Sequence, residues 1–254
     1  MRLADKTALV TGSTSNIGRA IAVRFAAEGA HVVVSGRDRE RGDGVVDEIR
    51  AAGGRADFVS ADLDGSPAAS TALAVAAEQA LGGRMDILVN NAGIFPGGPL
   101  EAIDEQIFDR VYAVNVKAPY FLTAAIVPAM VGRGDGVIIN MGSWIARLGI
   151  SGTSLYAPTK GAIEALTRAW AAEFGQAGVR VNAISPGVVR ASGAEAVGRG
   201  ESLMAGTPAG RSGRPEAIAA AAVYLASDEA DFVHGAVIDV DGGRTGVAVT
   251  AAVS

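Results

Sequence analysis

The 254 residues carry 27 acids against 22 bases, a formal charge of −5 without a long run of either sign, so neither nucleic acid nor an anionic membrane meets an electrostatic footprint. Hydrophobic residues at 49% and charged residues at 19% suit one well-buried α/β domain over 1–254 and exclude a disordered chain. With no cysteine and only His31 and His234, disulfides, thiolate sites and histidine clusters are excluded, and no metal is expected.

No stretch approaches the roughly 20 uninterrupted apolar residues of a membrane span, and the first ten residues lack a signal-peptide core. A cytoplasmic protein with a small-molecule partner is expected. The chain opens as strand, glycine turn, helix, strand: residues 8–10 lead into Gly12 and Gly18, an amphipathic stretch runs to Glu28, and 32–34 follow. The alternation continues with a helix at 39–51, a strand at 57–60, a helix at 67–81 and a strand at 87–89. One long helix is expected over 104–130, then strand 137–140, helix 155–176, strand 181–184 and a last strand at 237–240. Strands separated by helices make a parallel sheet, and wholly apolar runs such as 87–89 suit strands covered on both faces. The expected fold is α/β: a doubly wound, Rossmann-like, seven-stranded parallel sheet with helices on both faces. Residues 188–215, rich in Gly, Ser and Arg with weak helical patterning, are expected to form a mobile substrate lid.

Residues 11–18 read Thr-Gly-Ser-Thr-Ser-Asn-Ile-Gly between the first strand and first helix, where backbone amides and the helix dipole can receive a pyrophosphate. Gly12 permits the tight turn and Gly18 the close approach of helix to sheet. Asn16 stands where glycine would be expected and, among the alternatives, best tolerates positive φ. Ser13, Ser15 and Ile17 complete this candidate turn. At the end of the second strand, where a carboxylate ordinarily takes the adenosine ribose hydroxyls, the chain reads Ser35-Gly36-Arg37. Arg37 can bind a 2′-phosphate instead, which favours NADP(H); the alternative is NAD(H), served by Asp38.

Tyr156 and Lys160 are four residues apart on an expected helix and share a face. A phenol with a pKa of about 10 must come down by about 3 units, some ~4 kcal/mol, to suit neutral pH, and a nearby ammonium favours the phenolate. Such a pair alone is most often structural. Here it follows, in order, the turn at 11–18, Asn90-Asn91-Ala92-Gly93, Asn115 and Ser143, and precedes Pro186-Gly187.

With these motifs in this order, the sequence resembles the short-chain dehydrogenases/reductases from about residue 4 to 243. The resemblance implies hydride transfer between a nicotinamide cofactor and a carbonyl or secondary alcohol. It implies a catalytic tetrad of Asn115, Ser143, Tyr156 and Lys160: Tyr156 passes the proton, Ser143 bonds the substrate oxygen, Asn115 holds a water beside Lys160, and Lys160 grips the nicotinamide ribose. Ser143, Trp144 and Tyr156 would touch substrate. Asp62 and Leu63 would contact adenine; Asn90, Ala92 and Gly93 would lie beside the adenosine ribose; Pro186, Gly187 and Val189 would flank the nicotinamide. Asn16 departs from the pattern, as does Ala191, which stands where a threonine often touches the cofactor phosphate, with Ser192 one residue on. The expected pocket wall of Phe95, Pro96, Trp144, Ile145, Leu148, Leu155 and Val188 is mainly apolar; Arg147 and Arg190 are expected as solvated surface groups, the alternative being that they engage an anionic or polyhydroxylated substrate. A homotetramer or dimer through the two long helices is also implied. Two alternatives stand beside this reading: a 3-oxoacyl-[acyl-carrier-protein] reductase, and a non-catalytic nucleotide-sensing protein of the same fold.

Overall fold

The computed structural model describes residues 1–190 and 199–248. Its seven strands are β1 Thr7–Thr11, β2 His31–Gly36, β3 Arg55–Ser60, β4 Ile87–Asn90, β5 Gly136–Met141, β6 Val179–Pro186 and β7 Val237–Val240. They form one parallel sheet in the order β3-β2-β1-β4-β5-β6-β7. The chain winds outward from β1 to β3, returns to β4, and winds the other way, so the order reverses between β1 and β4 and opens a crevice beyond their C-terminal ends.

The helices are α1 Asn16–Ala27, α2 Arg39–Ala51, α3 Pro67–Ala80, α4 Glu105–Tyr112, α5 Ala118–Arg133, α6 Tyr156–Phe174, α7 Arg199–Ser202 and α8 Pro215–Ala226. Alternate strand residues feed two cores. Ala8 and Val10 pack with Phe25 of α1, Ile49 of α2 and Ile218 of α8, while Leu9, between them, packs with Leu73 of α3, Leu122 of α5 and Trp170 of α6. Burial on both faces is why the inner strands read as unbroken apolar runs.

The single helix expected over 104–130 is corrected. Asp104 caps α4, its carboxylate accepting from the Ile107 amide at 2.7 Å, but Ala113–Lys117 forms one π-helical turn before α5 begins. Pro119 has no amide hydrogen to donate to the carbonyl four residues back, that of Asn115, so the ladder widens there. By length and hydropathy alone the run 105–133 could cross a membrane; here Leu122, Ile126 and Met130 are buried against the sheet.

The described part of the expected lid is tied down. Val189 bridges Gly213, Met204 is buried, and Gly242 and Gly243 pack against Ala209 and Pro208. Ala191 and Ser192 lie outside the described residues.

Candidate active site

A cleft of about 1090 Å³ runs over the C-terminal ends of the strands, from Arg37 beyond β2 to Ser143 beyond β5 and Pro186 to Val189 at the end of β6. A smaller cavity of about 300 Å³, near Lys6, Asp86, Asp135 and Arg180, lies at the opposite ends of the strands. Its charges are largely engaged: Asp86 bonds Thr7 and Arg84, Lys6 pairs with Asp135, and Arg180 donates to the Leu225 and Ser227 carbonyls.

The glycine turn is built by close backbone approach. Gly12 adopts φ +62°, and a Cβ there would lie 2.8 Å from the Ala92 Cα; a Cβ on Gly18 would lie 2.3 Å from the Gly12 carbonyl oxygen. Asn16 adopts φ +46°, the left-handed conformation for which it is suited. Asn91 stitches the turn to β4, its side-chain amide donating to the Thr11 and Gly12 carbonyls at 2.8 and 3.0 Å. Ser15, Asn16, Ile17, Asp62, Leu63, Ala92 and Gly93 all line the cleft.

Two expected cofactor contacts are not brought there as side chains. The Ser13 hydroxyl is fully buried, donating to the Val10 carbonyl and accepting from the Ser35 amide, and Thr14 lines the cleft instead. Asn90 lies beneath it, donating to Asn140 at 2.9 Å and Thr123 at 3.2 Å. Asn140 in turn donates to Thr167, making a polar ladder across β4, β5 and α6. In an apolar core such groups must satisfy one another.

At the end of β2, Arg37 lines the cleft together with Arg41, which the sequence reading missed; its position one helical turn beyond Arg37 was the available signal. Asp38 also borders the cleft, but its carboxylate caps α2, accepting from the Arg41 amide at 3.0 Å and pairing with the Arg41 guanidinium at 3.2 Å. Asp62 is paired with Arg110 at 3.0 Å.

The tetrad residues converge around one end. Tyr156 opens α6, and its phenol shares the cleft with the Ser143 hydroxyl, which stands just past β5. Phe95 sets its ring edge-on to Tyr156, centroids 4.5 Å apart. Burial pushes the Tyr156 phenol up to about 12, against the opposing effect of Ser143. The direction is opposite to the lowered pKa expected from the Lys160 pairing, because desolvation penalises the phenolate. Lys160 is 4% exposed; its ammonium donates to the Met141 carbonyl at 2.8 Å and lies 5.6 Å from the Tyr156 ring centroid. Burial brings Lys160 down to about 8.

Asn115 sits in the π-helical turn beneath the cleft. It accepts from the Ile94 amide at 2.9 Å and donates to the Ile94 carbonyl at 3.0 Å and to Thr159 at 3.2 Å. Gly93 lies between Asn115 and Lys160, where a Cβ would make ordinary contact, 3.4 Å from Asn115 Oδ1 and 3.7 Å from Lys160 Nζ. Trp144 and Ile145 line the cleft, but Arg147 and Arg190 do not present free charge to it. Arg147 makes two bonds to Asp239 at 2.8 and 2.7 Å, and Arg190 bonds Glu201 at 2.7 Å.

The family model described as enoyl-(acyl carrier protein) reductase matches residues 12–245. A 3-oxoacyl-[acyl-carrier-protein] reductase of Thermotoga maritima is 35% identical, over 96% of this chain and 99% of that protein. A solved short chain dehydrogenase/reductase family protein is 46% identical with a TM-score of 0.88, covering 97% of this chain and all of that one. The structure of a blue fluorescent protein from a metagenomic library, in complex with NADPH, is 35% identical with a TM-score of 0.89, covering 97% of this chain and all of that one. Fold, motif order and these likenesses over nearly the whole length agree: the chain belongs to the short-chain dehydrogenase/reductase family, as an NAD(P)-dependent oxidoreductase acting on alcohol and carbonyl groups.

Proposed function

We propose that the protein transfers hydride between NADP(H) and a carbonyl or secondary-alcohol substrate, with Tyr156 as the proton donor or acceptor. The observation that carries this reading is the convergence of Ser143, Tyr156 and the Lys160 ammonium at one end of a cleft whose other end holds Arg37 and Arg41. The ends of β2 and β5 are three strands apart, about 14 Å at roughly 4.8 Å per strand, a span suited to an extended dinucleotide.

The residues present fit that cofactor. Gly12 and Gly18 permit backbone approach to the pyrophosphate at the start of α1, and Arg37 suits a 2′-phosphate, with Arg41 beside it shared with Asp38, which is engaged as a helix cap. The solved NADPH complex of a relative supports the same preference. Ala92, Gly93, Pro186, Gly187 and Val189 line its remaining path.

When bound, the nicotinamide supplies or accepts the hydride. Ser143 holds the substrate oxygen by a hydrogen bond that strengthens as negative charge develops there. Tyr156, a neutral phenol at neutral pH, passes its proton to that oxygen in the reductive direction and recovers it in the oxidative one. The Lys160 ammonium, held toward Tyr156 by the Met141 carbonyl, eases the charge left on the phenolate and reaches toward the ribose hydroxyls. Asn115 acts through Ile94, fixing the backbone that carries Gly93 and Phe95.

In this reading residues 188–215, anchored in their described part by the Val189–Gly213 bridge and the buried Met204, serve as the substrate lid, and the protein is a cytoplasmic homotetramer or dimer. The exposed Phe108, Tyr120 and Val131 on α4 and α5 support association through those helices. A 3-oxoacyl-[acyl-carrier-protein] reductase remains the second reading, favoured by the name of the Thermotoga maritima relative. Following NADPH and NADH absorbance at 340 nm across a ketone panel tests the proposal. Consumption of NADPH supports it; binding without turnover on any ketone favours a nucleotide sensor.

A further inference from the structure

Arg147 and Arg190, the arginines that the sequence offers as candidate anion ligands, are neutralised by Asp239 and Glu201. Arg244 is not. It follows β7, and its guanidinium carbon stacks 5.4 Å from the centre of the Trp144 ring. Its Nε is enclosed with no acceptor, and no carboxylate pairs with it among the described residues. The neighbouring acid, Asp241, is turned away: it accepts from the Gly243 and Thr245 amides and from the Thr245 hydroxyl. A guanidinium nitrogen removed from water without an acceptor is destabilising, and an anion that reaches the head reverses part of that cost.

The place of Arg244 gives this cation a use. Trp144 directly follows Ser143 and lines the cleft, while the turn before Arg244 packs on Met204, Pro208 and Ala209. The arginine therefore stands against Trp144, the wall residue next to Ser143, and beside the segment assigned above as the lid. We propose that Arg244 determines substrate choice by binding an anionic group, a carboxylate or phosphate, carried by the substrate away from its carbonyl. The planar fork of arginine matches either oxyanion. This rests on the reading of Ser143 and Tyr156 as the reaction centre.

The test compares kcat/KM with NADPH for oxo acids from 3-oxobutanoate to 6-oxoheptanoate against their methyl esters, with 3-oxobutanoyl-coenzyme A as the phosphate-bearing arm. Wild type is expected to favour at least one anion over its neutral counterpart by about tenfold or more. Arg244→Met, which keeps apolar packing on Trp144, brings that ratio near one by raising KM for the anion, and Arg244→Lys restores part of it. The arm that responds identifies the source of the oxyanion. Equal losses on acids and esters, an unchanged ratio in Arg244→Met, or no anion preference in wild type overturns the proposal. Oxo-acid quenching of tryptophan fluorescence in wild type and Arg244→Met reads the anion site without turnover. Quenching that is lost in Arg244→Met, in a protein inert to every ketone, supports the anion site and counts against the reaction centre alone.

Discussion

Asn115 and the backbone of Ile94 bond each other in both directions, amide to carbonyl and carbonyl to amide, at 3.0 and 2.9 Å. The side chain thereby substitutes for a strand partner just where the chain leaves β4 to form the cleft wall. Asn115→Ala leaves both backbone groups of Ile94 without this partner, a loss of about 1–3 kcal/mol. For a chain of this length that lowers Tm by about 2–4 °C per kcal/mol, read by calorimetry. Turnover is expected to fall further than stability alone explains, because Gly93 and Phe95 shift with Ile94. Unchanged kcat in a folded Asn115→Ala protein contradicts this.

Removing the phenol hydroxyl isolates proton transfer. Tyr156→Phe keeps the ring against Phe95 and is expected to reduce kcat by about 10²–10⁴-fold, with NADPH affinity within a few-fold of wild type by fluorescence titration. Near-normal turnover refutes the assignment of Tyr156.

The cofactor preference depends on the arginines at the end of β2. Arg37→Ala is expected to lower kcat/KM for NADPH by about tenfold or more while leaving that for NADH nearly unchanged, and Arg41→Ala to act in the same direction. Separate titration of the two cofactors checks it. A wild-type preference for NADH rejects it.

Burial of Lys160 has a pH signature. Its folded pKa, about 8, lies below the unfolded value of 10.5, so the unfolded chain binds the proton more tightly. The destabilisation is fully present below pH 8 and is relieved as pH rises from about 8 to 10.5, by about 3 kcal/mol in all. Tyr156 acts in the opposite sense higher up: its folded pKa, about 12, exceeds the unfolded value of 10, so stability falls as pH rises from about 10 to 12, where the unfolded chain ionises first. Urea unfolding of wild type and Lys160→Met at pH 7, 8, 9 and 10 checks the first effect. The stability of wild type relative to the variant is expected to rise with pH; a constant difference contradicts it.

Much of the architecture was legible from periodicity. Apolar runs separated by amphipathic stretches located all seven strands, and Gly12, Gly18 and Asn16 announced the turn because only a few residue types accept its backbone angles. The π-helical turn at Ala113–Lys117 was missed although Pro119, which cannot donate to the Asn115 carbonyl, was its signal in the sequence; that Asn115 spends its side chain on Ile94 was not legible before the fold brought the two together. Ser13 and Asn90 illustrate the same limit. A polar residue in a motif can face the ligand or satisfy its neighbours, and only the fold brings Val10, Ser35 and Asn140 close enough to decide.

The sequence by itself determined the parallel sheet, the glycine turn and the spacing that puts Tyr156 and Lys160 on one helix face, because these follow from local geometry. The tertiary structure decided which charges remain available. Asp38 is turned to its helix, Arg147 and Arg190 are matched by acids, and Arg244 is left on Trp144. Asp239 lies 92 residues from Arg147 in the chain, and Trp144 lies 100 residues from Arg244; no local pattern encodes such pairs, because ion pairing and burial depend on distances that exist only after the strands have assembled.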